Sequence, residues 1–275
     1  MTLLVAWVGV DTHGVSSTYI ASDSRISWQG GATFDYGRKV FAFANHPDVL
    51  GYSGDVLFPS LALNQIVQLA DAGMLFGPDF TSVEKFQKIV EKLNHLGTKY
   101  PADQAGLTEN RLSIIHASRG GQSGQEFFCQ TIVWSRDGGW IARPVQLPAQ
   151  SEVLFAKGSG EQEFRKNYER YRSSSNSGTS RAVFHCFCDT LANTEVASVG
   201  GAPQLVGLYR KPGSPGQNFG VVWSKKRYFL GAHIDDLRVR ASNVQWRNDN
   251  FEIVNGITMS RPDNAQQQPD PLRRL

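Results

Sequence analysis

Thr2-Leu3-Leu4-Val5-Ala6-Trp7-Val8-Gly9-Val10, Thr18-Tyr19-Ile20-Ala21-Ser22-Asp23-Ser24-Arg25 and Arg38-Lys39-Val40-Phe41-Ala42-Phe43-Ala44 are the three stretches whose reading decides the fold. The first is an apolar run rich in β-branched residues near its end, and the second is a strand that stops at an acid. Between them Asp11 to Gly14 supply turn chemistry, so the pair reads as a hairpin. Lys39 to Ala44 and Val49 to Ser53 read as two further short strands, with Asn45-His46-Pro47-Asp48 as the turn between them.

Working outward, the period changes. Leu57, Leu61, Leu63, Ile66, Leu69 and Ala70 recur at helical spacing, and Gly73 lies near that helix's end. A second helix carries Phe86, Ile89, Val90 and Leu93, with Thr81 or Ser82 as cap and Gly97 as stop. Strands return at Arg111–Ala117, Glu126–Trp134, Trp140–Arg143 and Val153–Ala156. Helices follow through Phe164, Tyr168 and Tyr171 and over about Ser180–Ala192, split by the polar stretch Ser173 to Gly178. Gln204–Tyr209 and Phe219–Trp223 are late strands. Blocks of strands and helices segregated in this way predict an α+β fold of stacked layers rather than alternating βαβ units. A single domain is expected over 2–260, with a tail at 261–275 too rich in Pro, Gln and Asp to order itself.

Composition narrows the function. The chain has 275 residues, 40% of them hydrophobic, enough for a large core. A net charge of +3 without a long basic run points away from nucleic acid. No segment approaches the ~20 apolar residues of a membrane span, and the N-terminus lacks the marks of a signal peptide. Three unevenly spaced cysteines, Cys129, Cys186 and Cys188, make no disulfide framework, so a reducing, cytoplasmic setting is expected. His185 to Cys188 could suggest a metal, but neighbours on a helix point apart, so buried thiols are expected and neither metal nor cofactor is. Trp134 and Trp140 flank a turn and read as packing residues.

A few residues could carry chemistry. Thr2 is a weak nucleophile until Met1 is removed; its own α-amine, titrating near neutrality, then becomes an adjacent general base. Many ordinary chains also begin Met-Thr. Asp23-Ser24-Arg25 could be no more than a strand end, and Lys39 a solvated or snorkelling strand-head lysine. Held beside Thr2, however, Lys39 would favour the deprotonated nucleophile, and Asp23 would keep Lys39 charged and in place.

Taken together, Thr2, Ala21 to Arg25, Arg38 to Phe41 and Gly51-Tyr52-Ser53-Gly54-Asp55 resemble the start of a proteasome β-type subunit, an N-terminal-nucleophile hydrolase. Asp23 and Lys39, sixteen positions apart, are spaced as in that family. Gly158-Ser159-Gly160 resembles the turn that opens its third helix, and Gly200-Gly201 a later turn. The likeness spans roughly residues 2 to 230 and suggests a divergent bacterial-type homologue. It implies a four-layer αββα sandwich, two mainly antiparallel sheets flanked by helices. It also implies Thr2 as nucleophile, Asp23 and Lys39 as supporting pair, the Gly54 N–H as oxyanion donor and Ser159 as helper.

The chain departs from the pattern in two places. Its first hairpin is longer, and the family's Asp and Ser near the late glycines have only Glu195 and Ser198 as nearest matches. The absence of a long extension before Thr2 suggests that no self-cleaving propeptide is needed, and the direct start on a strand argues against an α-type subunit. Two readings follow. One is a threonine-type peptidase acting on peptide or protein substrates, assembled as a homo-oligomeric ring or spiral. The other is an inactive assembly subunit of the same fold.

Overall fold

The structure is a computed structural model, and it describes residues 2–28, 30–101, 112–135, 139–174, 176–235, 244–263 and 265. In chain order it contains β1 (Leu4–Asp11), β2 (Gly14–Ser22), β3 (Ile26–Ser27), β4 (Thr33–Phe34), β5 (Val40–Ala42) and β6 (Asp48–Ser53). Helices α1 (Leu57–Asp71) and α2 (Ser82–Gly97) follow. Then come β7 (Leu112–Gly120), β8 (Glu126–Ser135), β9 (Gly139–Pro144) and β10 (Glu152–Lys157), and helices α3 (Glu161–Arg172) and α4 (Ser180–Asn193). The chain ends on β11 (Gln204–Tyr209), β12 (Gln217–Trp223), β13 (Lys226–Phe229), β14 (Ala232–His233), β15 (Trp246–Asn248) and β16 (Ile253–Val254).

One sheet runs in the order β10-β1-β2-β11-β12-β13-β14, with β15 on β12 and β16 on β15; the other runs β5-β6-β7-β8-β9. Among the described residues the strand pairings are antiparallel except β12–β15. The expected α+β class with mainly antiparallel sheets is what the chain adopts.

Side-chain alternation explains why β1 is apolar from Leu4 to Val8. Leu3, Val5 and Trp7 join a core with α3 and α4, through Phe164, Tyr171, Phe184 and Phe187. Leu4 and Ala6 point the opposite way, into a core shared with Val40, Ala42, Val49 and Ile115 of the other sheet. A strand buried on both faces has no polar face to show. The second sheet turns Phe41, Phe43, Leu50, Tyr52 and Ile114 toward α1 and α2, which answer with Phe58, Leu63, Ile66, Phe86 and Ile89. Each such side chain taken out of water contributes roughly 1.5–3 kcal/mol.

Local signals end the helices where the chain must turn. Thr81 caps α2 in a reciprocal capping box with Glu84. Gly73, at φ +71°, donates to Ala70 O while Met74 donates to Leu69 O, the paired bonds of a Schellman close to α1. Gly97, expected as a stop, is the last residue of α2, and Thr98 is its C-cap. Trp134 and Trp140 sit opposite each other on β8 and β9 and pack on the α1–α2 core. Cys186 and Cys188 are residues of α4 and are buried in the first core. The strands β3, β4 and β13–β16 were not legible in the sequence. They are two to four residues long, too short for alternation to register, and turns at positive φ (Ser224, Lys225, Leu230) interrupt the later ones. From that late region Phe251 packs edge-on against Tyr19 at 5.0 Å, so residues well past β12 belong to the first core. Of the expected tail, residues 264 and 266–275 lie outside the described residues, as does Arg111 at the head of an expected strand.

Candidate active site

Asp23 follows the last residue of β2, and Lys39 precedes the first residue of β5, so they reach each other from different sheets. Both are fully buried. Lys39 Nζ donates to Asp23 Oδ1 at 2.9 Å and to the Arg25 carbonyl at 2.5 Å. Asp23 Oδ1 also accepts the Leu3 N–H at 2.9 Å; Oδ2 accepts from Arg25 N and Gly200 N, each at 3.2 Å. The carboxylate therefore gathers the ammonium and three backbone segments, one of them adjacent to Thr2. Burial pushes the Lys39 ammonium below its ordinary value, and the charge and hydrogen bond of Asp23 oppose that push. Such a lysine holds its proton less firmly than one in water, which suits a group that moves or stabilises protons.

Thr2 is fully buried at the foot of β1. Its carbonyl accepts the Gly160 N–H at 3.3 Å. Gly158 adopts φ +105°, and a Cβ there would stand 1.9 Å from Thr2 O, so the turn before α3 must be glycine to lie against the chain start. The same turn carries Ser159, whose Oγ is 2.9 Å from Ser198 Oγ. Ser198 is thus joined to Ser159, whereas Glu195, three residues earlier, is exposed. Gly54 ends β6 with φ +108°.

Several neighbours could not be read from sequence. Arg25 holds Asp35 in a two-pronged pair, Nε to Oδ1 at 2.7 Å and an Nη to Oδ2 at 2.8 Å. The guanidinium keeps the Asp35 carboxyl below its ordinary value. Arg25 also donates to the carbonyls of Ala197 and Val199, tying down the turn that sends Gly200 N–H to Asp23. Gln204 bonds to the backbone on both sides of the pair. Burial raises the Asp55 carboxyl, next to Gly54, against the pull of backbone N–H groups at the start of α1. Arg25 stood in the motif, but its partner lay ten positions on across a loop that no periodicity organises.

No family model and no curated protein matches the sequence. Solved structures do match. Anbu (ancestral beta-subunit) from Yersinia bercovieri superposes with a TM-score of 0.52 at 12% identity, over 85% of this chain and 88% of that one. The helical assembly of the Anbu complex from Pseudomonas aeruginosa gives 0.54 at 15%, over 85% and 88%. A Gly-1 mutant of Anbu from Hyphomicrobium sp. strain MC1 gives 0.52 at 12%, over 86% and 89%. The chain has the fold of the bacterial proteasome-like N-terminal-nucleophile hydrolases, in a divergent form.

Proposed function

We propose that this chain is a proteasome-like threonine-type amidohydrolase, a peptidase whose nucleophile is Thr2 after removal of Met1. The observation that carries the reading is the buried Asp23–Lys39 pair at 2.9 Å, wired through Asp23 Oδ1 to the backbone next to Thr2. Thr2 Oγ attacks the substrate amide carbonyl and passes its proton to the Thr2 α-amine. Lys39 supplies positive charge beside the developing alkoxide, and the Gly54 N–H faces the oxyanion. The C–N bond breaks, the leaving amine takes the proton, and an ester to Thr2 remains. Water, deprotonated by the α-amine, then attacks the ester, releasing the acid and restoring the Thr2 hydroxyl. Ser159 and Ser198 act as one hydroxyl pair at the edge of this site.

The two helix–sheet cores and the core between the sheets support stacking of the elements as helices, sheet, sheet, helices, the four-layer αββα arrangement. A homo-oligomer, ring or spiral, fits one matched structure's being a helical assembly. Among the described residues no helix is long and apolar enough to cross a membrane, and a cytoplasmic setting fits the free, buried cysteines.

One observation favours the competing reading, an inactive assembly subunit: Glu195, the acid that stands nearest the late glycines in the sequence, faces solvent. Mass spectrometry of protein confirmed to start at Thr2, after treatment with a threonine-directed electrophile, decides between them. The peptidase reading expects a single adduct on Thr2, loss of peptide hydrolysis with it, and neither adduct nor hydrolysis in Thr2→Ala. An unmodified Thr2 leaves the assembly subunit.

A further inference from the structure

Gln204 is the first residue of β11, directly across from Ser22 on β2, and it is fully buried. A buried carboxamide must find partners for two N–H groups and a carbonyl. Gln204 finds all of them on main chain. Its Nε2 donates to Asp23 O at 3.0 Å and to Gly37 O at 2.7 Å, and its Oε1 accepts the Lys39 N–H at 3.1 Å. Two carbonyls and one N–H fix which end of the amide is which. Gly231, at φ +86°, closes over it from the turn between β13 and β14: a Cβ there would stand 2.8 Å from Ser24 Cβ and 3.4 Å from Gln204 Cδ.

Asp23 belongs to the end of one sheet and Lys39 to the start of the other. Between the sheets lies an apolar core, which is non-directional and sets no fixed distance between two polar groups. Hydrogen bonds from one rigid amide to both backbones do set it. We infer that Gln204 is a positioning residue, which fixes the separation of Asp23 and Lys39 by bridging the two sheets that carry them. As an account of catalysis the inference rests on the peptidase reading above; as an account of Lys39 it stands on the geometry. The charged groups facing the Lys39 ammonium are Asp23, Arg25 and Asp35, and Gln204 meets Lys39 at its backbone N–H.

Two substitutions test it. Gln204→Met fills a similar volume and removes all three bonds. Gln204→Glu keeps the shape but has no N–H to offer either carbonyl. Asn167→Leu, which breaks a bond to Thr190 in the α3–α4 layer, serves as control matched for loss of Tm. In Gln204→Glu the rate of electrophile capture at Thr2 should fall about tenfold or more, with a displaced pH profile, since small misplacements of a catalytic group cost up to about a hundredfold. Asn167→Leu should keep the wild-type profile. A wild-type rate and profile in Gln204→Glu, or a loss equal to that of the control, overturns the inference. If wild-type Thr2 is never captured, the peptidase reading fails by itself. Gln204 is then judged on the Lys39 ammonium, followed by NMR in protein with ¹⁵N-labelled lysine. A lowered titration in Gln204→Met, which adds no charge but releases the fixed separation of Asp23 and Lys39, sustains the inference, and an unmoved one overturns it. If neither variant folds, amide exchange in the wild type decides. A slowly exchanging Lys39 N–H, although Lys39 lies outside any strand, is expected; rapid exchange overturns the bridge.

Discussion

Asp23 and Asp48 are both carboxylates without exposed surface, and they are wired in opposite ways. Asp48 opens β6 and takes its partners from side chains: His116 Nε2 at 2.9 Å from β7 and Lys85 Nζ at 3.3 Å from α2. Phe86 of α2 stacks on His116 at 5.7 Å and 10°. Asp23 takes three backbone N–H groups and one ammonium. The first network pins a helix to a sheet and could be replaced by apolar packing of the same shape. The second fixes the path of the main chain around Thr2, and no apolar side chain could do that. A buried charge alone therefore says little about function; the identity of its donors says more.

The sharpest way to break this contrast is to remove the lysine from each network. Lys39→Ala should reduce electrophile capture at Thr2 to the level of Thr2→Ala, and the double variant should look no worse, because the residues act as a unit. Lys85→Met should leave capture at the wild-type rate and show itself only in unfolding. Equal losses of capture in both single variants would erase the distinction.

A smaller effect separates the networks by pH. Burial pushes the Asp48 carboxyl up, but His116 and Lys85 together outweigh it and hold the group below its ordinary 3.8. A carboxyl lowered on folding contributes stability that is fully present above 3.8 and lost as pH falls through its folded value. Lys39 is lowered too, so its slope has the same sign, displaced to the alkaline range. Stability rises with pH between its folded value and the ordinary 10.5, as the unfolded chain holds the proton longer. Urea unfolding of Asp48→Asn should show about 3 kcal/mol lost at neutral pH and a flatter acid limb. Lys39→Met should flatten the alkaline limb instead. Unchanged limbs in both variants would remove the electrostatic part of the comparison.

Much of this was legible in the sequence, and the reasons are physical. Helices α1 and α2 announced themselves through the period of their apolar residues and the signals at their ends. Asp23 and Lys39 were visible because their order and sixteen-position spacing resemble the start of a proteasome β-type subunit. Asp35 and Gln204 were not: Asp35 meets Arg25 across the two-residue β3–β4 ribbon, too short to register in the sequence, and Gln204 meets Asp23 and Lys39 only after the sheets stack. A lone glutamine at a strand start carries no signal of its partners. Glu195 was chosen on nearness in sequence, and the turn after α4 carries it outward while bringing Ser198 in.

The smallest effect belongs to that last pair. Ser159 Oγ and Ser198 Oγ lie 2.9 Å apart, one exposed and one half-buried, at the edge of the site rather than inside the Asp23 network. A neutral hydroxyl–hydroxyl bond open to water contributes about 0.5–1.5 kcal/mol, a change of roughly two- to tenfold in rate if all of it acts on the transition state. Ser198→Ala should fall within that range for electrophile capture, and Ser159→Ala should match it, since either change removes the same bond. The double variant should then equal each single one, the signature of two groups acting through one contact. Additive losses would mean that each hydroxyl touches the reacting atoms separately. A collapse of capture in Ser198→Ala as deep as that of Lys39→Ala would move Ser198 from the edge of the site to its centre. The donors of Asp23 would then no longer mark where the chemistry lies.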